Sequence, residues 1–371
     1  MKKKGKLPIA KLIIRIISMV VLTLMMVLLF LLGAMWVIAK GPSPAAGRLF
    51  ALSVRETSAV GFLADIYFTK DELAAFYADD TESAAKTDTS LIQIQVKPNT
   101  DNADESNGDH GIADDSTETL TAYEQQPADT AEAPAPKPDN GGVEVYDIKG
   151  PAYQGKMMVV ADPSRIIVGV PDSFGGSAKG LSVYNMIEKY GAVAGINAGG
   201  FADEGGSGTG GIPEGIVIVD GEVLWGDNGV AYNVVGLDAD NILHVGRMTC
   251  REAVAAGVTD AVSFGPSLII NGNPANTNRQ LGGGVNPRTA IGQRADGAIL
   301  LLVINGRQID SLGATYDDLI DIMLEYGAVN ASNLDGGSSS LMIHNGEYIT
   351  NSAYIFGERV IATSFLVMPE V

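Results

Sequence analysis

Asp335 is followed by Gly336, Gly337, Ser338, Ser339 and Ser340, which sets a carboxylate directly against two glycines and three hydroxyls. Glycine lets a backbone approach a ligand closely, and its N–H can point at an anion. The aspartate supplies a charge at the same spot. A tight turn leading into the apolar run Leu341–Ile343 is the structural alternative, because glycine and serine are ordinary turn residues. Three other segments carry polar groups of useful type. Asn197-Ala198-Gly199-Gly200-Phe201 follows an apolar run, Arg288 comes directly after Pro287, and Arg359 precedes the last apolar run. Proline fixes the backbone entering its strand, and arginine forks grip phosphate oxygens in pairs. These residue types suit a site that holds a phosphate-like anion and works beside it with one carboxylate. Asp203, Glu204, Glu214, Asn305, Arg307 and Asp310 complete the polar inventory. Arg307 follows a turn dipeptide and is expected on the surface.

Other chemistries find less support. Gly206 to Gly211 matches G-x-G-x-x-G, but a dinucleotide site needs that run between a strand and a helix. Here it leads into the strand-like Ile216–Val219, and a lid-like loop is the better reading. No Walker lysine, H-E-x-x-H or G-x-S-x-G is present. His244 and His344 lie in or beside strand-like runs, where a structural role is the default, so a Ser-His-Asp hydrolase is poorly supported. Cys250 is the single cysteine, which leaves no internal disulfide and no cysteine zinc site. No cofactor and no metal are expected; a Ca²⁺ on Asp203, Glu204 and Glu214 is the one candidate worth naming.

The elements that must position these groups are mostly strands. Apolar runs end in Asp220-Gly221, Asn271-Gly272, Asn305-Gly306 and Asn345-Gly346. Such dipeptides favour the type I′ turn that closes a two-residue hairpin. Helices are fewer. One is expected from Ser182 to Tyr190, one from a Thr249–Glu252 capping box to Ala256, and one capped by Thr315 and ending at Gly327. Strands and helices mix without regular alternation, which predicts an α+β fold: strand-rich, a largely antiparallel or mixed sheet, and a few packed helices.

Ahead of this core the chain changes character. Lys2, Lys3, Lys4, Lys6, Lys11 and Arg15 flank an apolar run over residues 12–39, long enough to cross a hydrocarbon core of about 30 Å. With the basic flank held in the cytoplasm, the expectation is a single-pass anchor in the bilayer and an extracellular C-terminal domain. A cleaved signal peptide is the competing reading; its apolar core is usually only about 7–15 residues. Residues 41–78 read as a juxtamembrane helical segment with a Thr69–Glu72 capping box. From Asp79 to Asn140 there are 15 acidic and 3 basic residues with few large apolar ones, the composition of a disordered linker over 79–142. Within it Leu91–Val96 alternates like an isolated strand. The domain proper is expected over 143–371. A net charge of −19 argues against nucleic acid as partner. The scarcity of cysteine suits a bacterial surface better than an animal secretory pathway.

In order and spacing, Asn197–Phe201, Asn286–Gly292, Asn333–Ser340 and Glu358–Val360 resemble the phosphodiester glycosidase family, over roughly Val143 to Val371. That family more usually reads Asn-Gly-Gly-Phe-Phe at the first segment and often has three glycines where this chain has Gly336-Gly337-Ser338. The resemblance implies a hydrolase of a sugar-1-phosphodiester, a carbohydrate substrate such as an N-acetylhexosamine of a cell-wall polymer or exopolysaccharide. It implies catalytic roles for Asp335, Arg288 and Arg359, and substrate contacts from Asn197, Gly199, Gly200, Gly336, Gly337, Ser338 and Asn305. A phosphate leaves with a low pKa, so such a site needs little general acid and can work without histidine. A non-catalytic module binding wall glycan or exopolysaccharide is the alternative.

Overall fold

A computed structural model describes residues 9–57, 60–77, 85–94, 142–203, 207–226, 229–276, 283–354 and 357–370. The expected linker lies largely outside them, as does Glu204. The fold is α+β, with three sheets in which the strands pair antiparallel.

The largest sheet has seven strands. Their spatial order is Val143–Lys149, Gln154–Val160, Ile299–Ile304, Arg288–Arg294, Ala328–Leu334, Ser267–Ile270 and Asn273–Pro274. The run Ile299–Ile304 is buried along its whole length, because its two faces belong to two cores. Ile299, Leu301 and Val303 join one apolar cluster, while Leu300, Leu302 and Ile304 join another beneath the helix Tyr316–Glu325. A strand covered on both faces reads as a continuous apolar run rather than an alternating one. A five-stranded sheet orders Glu347–Tyr348, Met342–His344, Ala194–Asn197, Ser364–Val367 and Ile166–Gly169, with the helix Val183–Tyr190 against it. The third sheet orders Glu222–Trp225, Val217–Val219, Val258–Ser263, Ala231–Asp238 and Leu243–Thr249, with the short helix Cys250–Ala255.

Local signals explain most of these boundaries. Ser182 caps its helix through Asn185 N–H and Gly191 ends it at φ 68°. Thr249 and Thr315 both form capping boxes. Asp220-Gly221, Asn271-Gly272 and Asn345-Gly346 all take positive φ and close hairpins. Asn305-Gly306 does not. The hairpin between Arg288–Arg294 and Ile299–Ile304 closes instead at Asp296-Gly297, where Gly297 has φ 91°. Gly306 is required for another reason: a Cβ there would stand 2.6 Å from Pro287 N.

Before the domain, the apolar helix Ile9–Lys40 is followed by helices Pro44–Arg55, Phe62–Tyr67 and Lys70–Tyr77. The most apolar stretch within residues 11–40 has a mean hydropathy of 2.8, enough to cross a membrane, a test that a signal sequence also passes. The later helices pack on one another and on the apolar helix, where Tyr67 Oη donates to Leu32 O and Lys40 pairs with Glu72 at 2.6 Å. The run expected as a strand at Leu91–Val96 instead follows a 3₁₀ turn, Thr89–Leu91, while residues 95 and 96 lie outside those described. Gln93 N–H donates to Ala295 O and Asp88 N–H to Asn271 Oδ1, so this stretch is stapled to the domain.

Candidate active site

Asp335 sits where the large and the five-stranded sheets meet. Thr289 pairs with Leu334 in the large sheet, which brings the head of the Arg288 strand to the end of the strand preceding Asp335. Asp335 N–H donates to Ala198 O at 2.9 Å, and Gly337 N–H to Pro287 O at 2.9 Å. The hinge between the sheets is Asn197, which is fully buried. Its Nδ2 donates to Asp335 O at 2.5 Å, and its Oδ1 accepts from Thr289 Oγ1 at 2.8 Å and Leu341 N–H at 3.1 Å. With these bonds made, Asn197 acts on the loop's shape. Thr289 was missed in the sequence; strand alternation was the available signal, since Thr289 faces opposite to Arg288.

Asp335 is half-buried, and burial pushes its carboxyl up to about 6, against the pull of the Ser339 hydroxyl, the Arg359 charge and Gly336 N–H, with Asp203 adding to the rise. Arg359 lies across the loop. It pairs with Asp203 at 2.7 Å, donates to Ser338 Oγ at 3.1 Å and stands 5.0 Å from the Phe201 ring centre. Asp203 also accepts Gly208 N–H at 2.7 Å. The expected lid is therefore tied down where described: a Cβ on Gly210 would stand 2.7 Å from Ile361 C.

Arg288 adjoins the loop through its backbone, which lies against Gly336, while its buried guanidinium is engaged by other partners. It donates to Ala314 O (3.1 Å), Gly284 O (2.5 Å) and Glu56 Oε2 (2.8 Å), and lies 4.1 Å from the Tyr316 ring centre. Burial opposes its charge, yet Tyr316 and Glu56 together raise its pKa. Strand alternation sets it apart from Asn197: Thr289 bonds Asn197, so Arg288 lies on the opposite face of its strand. Arg307 takes the position nearer the loop. Exposed, with φ 59°, it brings its guanidinium within 3.3 Å of where a Gly337 side chain would begin. It donates to Thr57 Oγ1 (3.0 Å) and Asn286 Oδ1 (3.2 Å), both neutral oxygens. Although the residue as a whole is exposed, partial desolvation of its guanidinium and then the Arg288 charge lower its pKa, with Glu56 opposing.

The remaining expected contacts are mostly framework. Gly199 N–H donates to Thr363 Oγ1, and Gly200 N–H to Ser263 O. Asn305 Oδ1 accepts Asn351 N–H at 2.9 Å and so braces a neighbouring loop. Gly336 takes no positive φ, whereas Gly337 does at 61°. The turn uses the Gly337 N–H, one of those expected to face a ligand, and within it Ser339 N–H donates to Gly336 O and Ser340 N–H to Gly337 O. Among the described residues no cluster of three or more His, Cys, Asp or Glu could hold a metal. His244 is buried against Asp238 at 2.8 Å, and Cys250 is buried.

Residues 190–368 match the family model for phosphodiester glycosidases. The SPbeta prophage-derived protein YomE of Bacillus subtilis (strain 168) is 30% identical over 209 residues, covering 53% of this chain and 31% of that protein. The chain thus spans about a third of the length of that curated relative. Among solved structures, the zebrafish N-acetylglucosamine-1-phosphodiester alpha-N-acetylglucosaminidase catalytic domain, auto-inhibited by its pro-peptide, aligns with a TM-score of 0.51 and 19% identity, over 65% of this chain and 86% of that one. At that identity the likeness is one of fold.

Proposed function

We propose, from the match of residues 190–368 to the phosphodiester glycosidase family model, that the chain is a hydrolase cleaving the sugar–phosphate bond of a sugar-1-phosphodiester. The observation that carries this reading is the half-buried Asp335 with a raised pKa, in a loop where Arg359 bonds Ser338 and Arg307 lies beside Gly337. The leaving phosphate departs with a low pKa, so the site needs a base or a negative charge at the anomeric carbon more than a strong acid. Asp335 supplies it, activating water or stabilising the oxocarbenium-like transition state. Arg307, bonded only to neutral oxygens among its described partners, is placed to meet developing phosphate charge. Arg288 holds the strand head from behind. The apolar helix at residues 11–40 fits a membrane anchor, with the domain outside and a surface phosphodiester polymer as substrate.

The test uses the full chain in detergent micelles with a panel of sugar-1-phosphodiesters and a plain aryl glycoside. Release of free sugar and a phosphomonoester, without cleavage of the aryl glycoside, is expected. Cleavage of the aryl glycoside alone, or of no phosphodiester, overturns the proposal.

A further inference from the structure

Helices Pro44–Arg55, Phe62–Tyr67 and Lys70–Tyr77 form an arm packed against the C-terminal end of the apolar helix Ile9–Lys40. Leu32 and Met35 are partly covered there and Ala39 is buried, and the three share one face of that helix. Gly47 lets the first arm helix approach closely: a Cβ there would stand 2.7 Å from Ala39 O. Ala39 joins Ala51, Ala64, Phe68 and Leu73 in one apolar cluster. The arm is thus fitted to the apolar helix, and cutting that helix away as a leader would open the cluster.

One hydrogen bond fixes the height at which the arm lies. Tyr67 Oη donates to Leu32 O at 3.0 Å, so helix Phe62–Tyr67 runs beside the apolar run and not beyond its end. Phe30 and Leu31 just before that level are exposed, and so are Trp36, Val37 and Ile38 after it. At about 1.5 Å per residue, bare apolar surface continues roughly 9 Å past Leu32. In a helix that spans a bilayer, lipid is what covers such groups, and a tryptophan near the end marks the headgroup level. A helix tied to Leu32 lies within the same layer.

Helix Phe62–Tyr67 has the surface that this layer requires. Ala64 is buried and Tyr67 packs against the arm's cluster, whereas Phe62 and Ile66, one turn apart, are 60% and 58% exposed. Asp65, its one charged residue, is paired with Arg55 at 2.8 Å. The polar end of the arm lies past it, where Lys40 stands over the Phe68 ring and bonds Glu72 in the next helix.

We propose, resting on the reading of residues 11–40 as a membrane anchor, that the Phe62 and Ile66 face of the arm lies in the headgroup–acyl boundary of the bilayer, as a second, in-plane contact beside the spanning helix. The partner is a phospholipid surface, met by a short amphipathic helix lying along it. The contact has a consequence for the domain. Glu56, in the same arm, pairs with Arg288, so seating the arm in the interface holds the domain against the membrane.

The experiment reconstitutes the full chain in nanodiscs of phosphatidylcholine and phosphatidylglycerol. Each sample carries one nitroxide, at Met25→Cys, Phe62→Cys, Ile66→Cys or Asp71→Cys, with Cys250→Ala removing the native thiol. Accessibility to oxygen against a water-soluble nickel chelate reads each label's depth. Expected are a label at Met25 in the hydrocarbon, labels at Phe62 and Ile66 about 5–10 Å into the boundary, and a label at Asp71 in water. Labels at Phe62 and Ile66 as aqueous as that at Asp71, with Met25 in hydrocarbon, overturn the interface contact and leave the anchor standing. An aqueous label at Met25 overturns the anchor and this contact with it. Shielding of Phe62 and Ile66 from both reagents, with spin–spin broadening, assigns the face to a second copy and also overturns the lipid contact. The unsubstituted chain gives a second measurement. Irradiated with a phospholipid carrying a diazirine in its acyl chain, it should take adducts on the peptide holding Phe62 and Ile66. Adducts on residues 12–31 and none on that peptide overturn the proposal.

Discussion

Asp335 binds its proton more tightly in the fold, with a pKa of about 6, than at its ordinary value of 3.8. Two outcomes follow from that one inequality. As a base it must be ionised, so kcat/KM should climb with pH through about 6; a flat profile from pH 5 to 7 would remove it from that role. Asp335→Asn should cut turnover by about 10²-fold or more. Stability should respond in the opposite sense. Between about pH 4 and 6 the folded chain holds a proton that the unfolded chain has lost, so stability declines as pH rises and stays reduced above 6. Asparagine removes that cost. Asp335→Asn should therefore be more stable than the parent at pH 7, by about 1–3 kcal/mol, and show no such gain at pH 4. Melting temperatures at the two pH values decide it. If the aspartate only caps the turn, activity survives and no pH-dependent gain is seen.

At the scale of elements, Glu56 lies outside the domain in sequence and against it in space. It sits just after helix Pro44–Arg55, pairs with Arg288 and accepts from Asn286 Nδ2, both at 2.8 Å. Ser53 Oγ accepts Val285 N–H at 2.9 Å, and Thr57 meets Arg307. Helix Pro44–Arg55 and the residues just after it thereby reach both arginines. Removing one partner leaves a nearly buried guanidinium short of an acceptor. Glu56→Gln should cost about 1–3 kcal/mol and speed hydrogen exchange over residues 44–57; unchanged exchange would mean that the pair contributes nothing to docking. Glycine replacements separate two roles of that residue. Gly306→Ala forces a Cβ against Pro287 and should cost about 1–3 kcal/mol through overpacking. Gly272, at φ 76° with no atom within 4 Å of a new Cβ, should cost only the backbone penalty of about 1–2 kcal/mol. Its variant should keep site activity, whereas Gly306→Ala disturbs Pro287 and the loop behind it. Chemical denaturation with parallel assays tests both.

For the whole molecule, the apolar clusters of the three sheets lie within residues 143–367, which argues that the domain can fold after removal of residues 1–142. The truncated chain should nonetheless melt lower than the full chain, because Arg288 loses Glu56 and Arg307 loses Thr57. Equal melting temperatures would show that the arm's contacts carry no net stability. The sequence alone determined what local geometry dictates. Asp220-Gly221, Asn271-Gly272 and Asn345-Gly346 turn because their own backbones favour positive φ, and Ser182, Thr249 and Thr315 cap because each hydroxyl reaches an N–H three residues on. The loop at Asp335 was legible for the same reason: its glycines and hydroxyls are contiguous. Tertiary structure alone decided the wiring among distant residues. Nothing near Arg288 announces that its acceptor is Glu56, 232 residues away, or that Arg307 is the arginine beside Gly337. Nor does the local sequence show that Gly306 answers to Pro287, or that a Cβ on Gly200 would meet Phe264 and Glu214. Those assignments depend on which strands pair and in which register, and register places alternate side chains on opposite faces of a sheet.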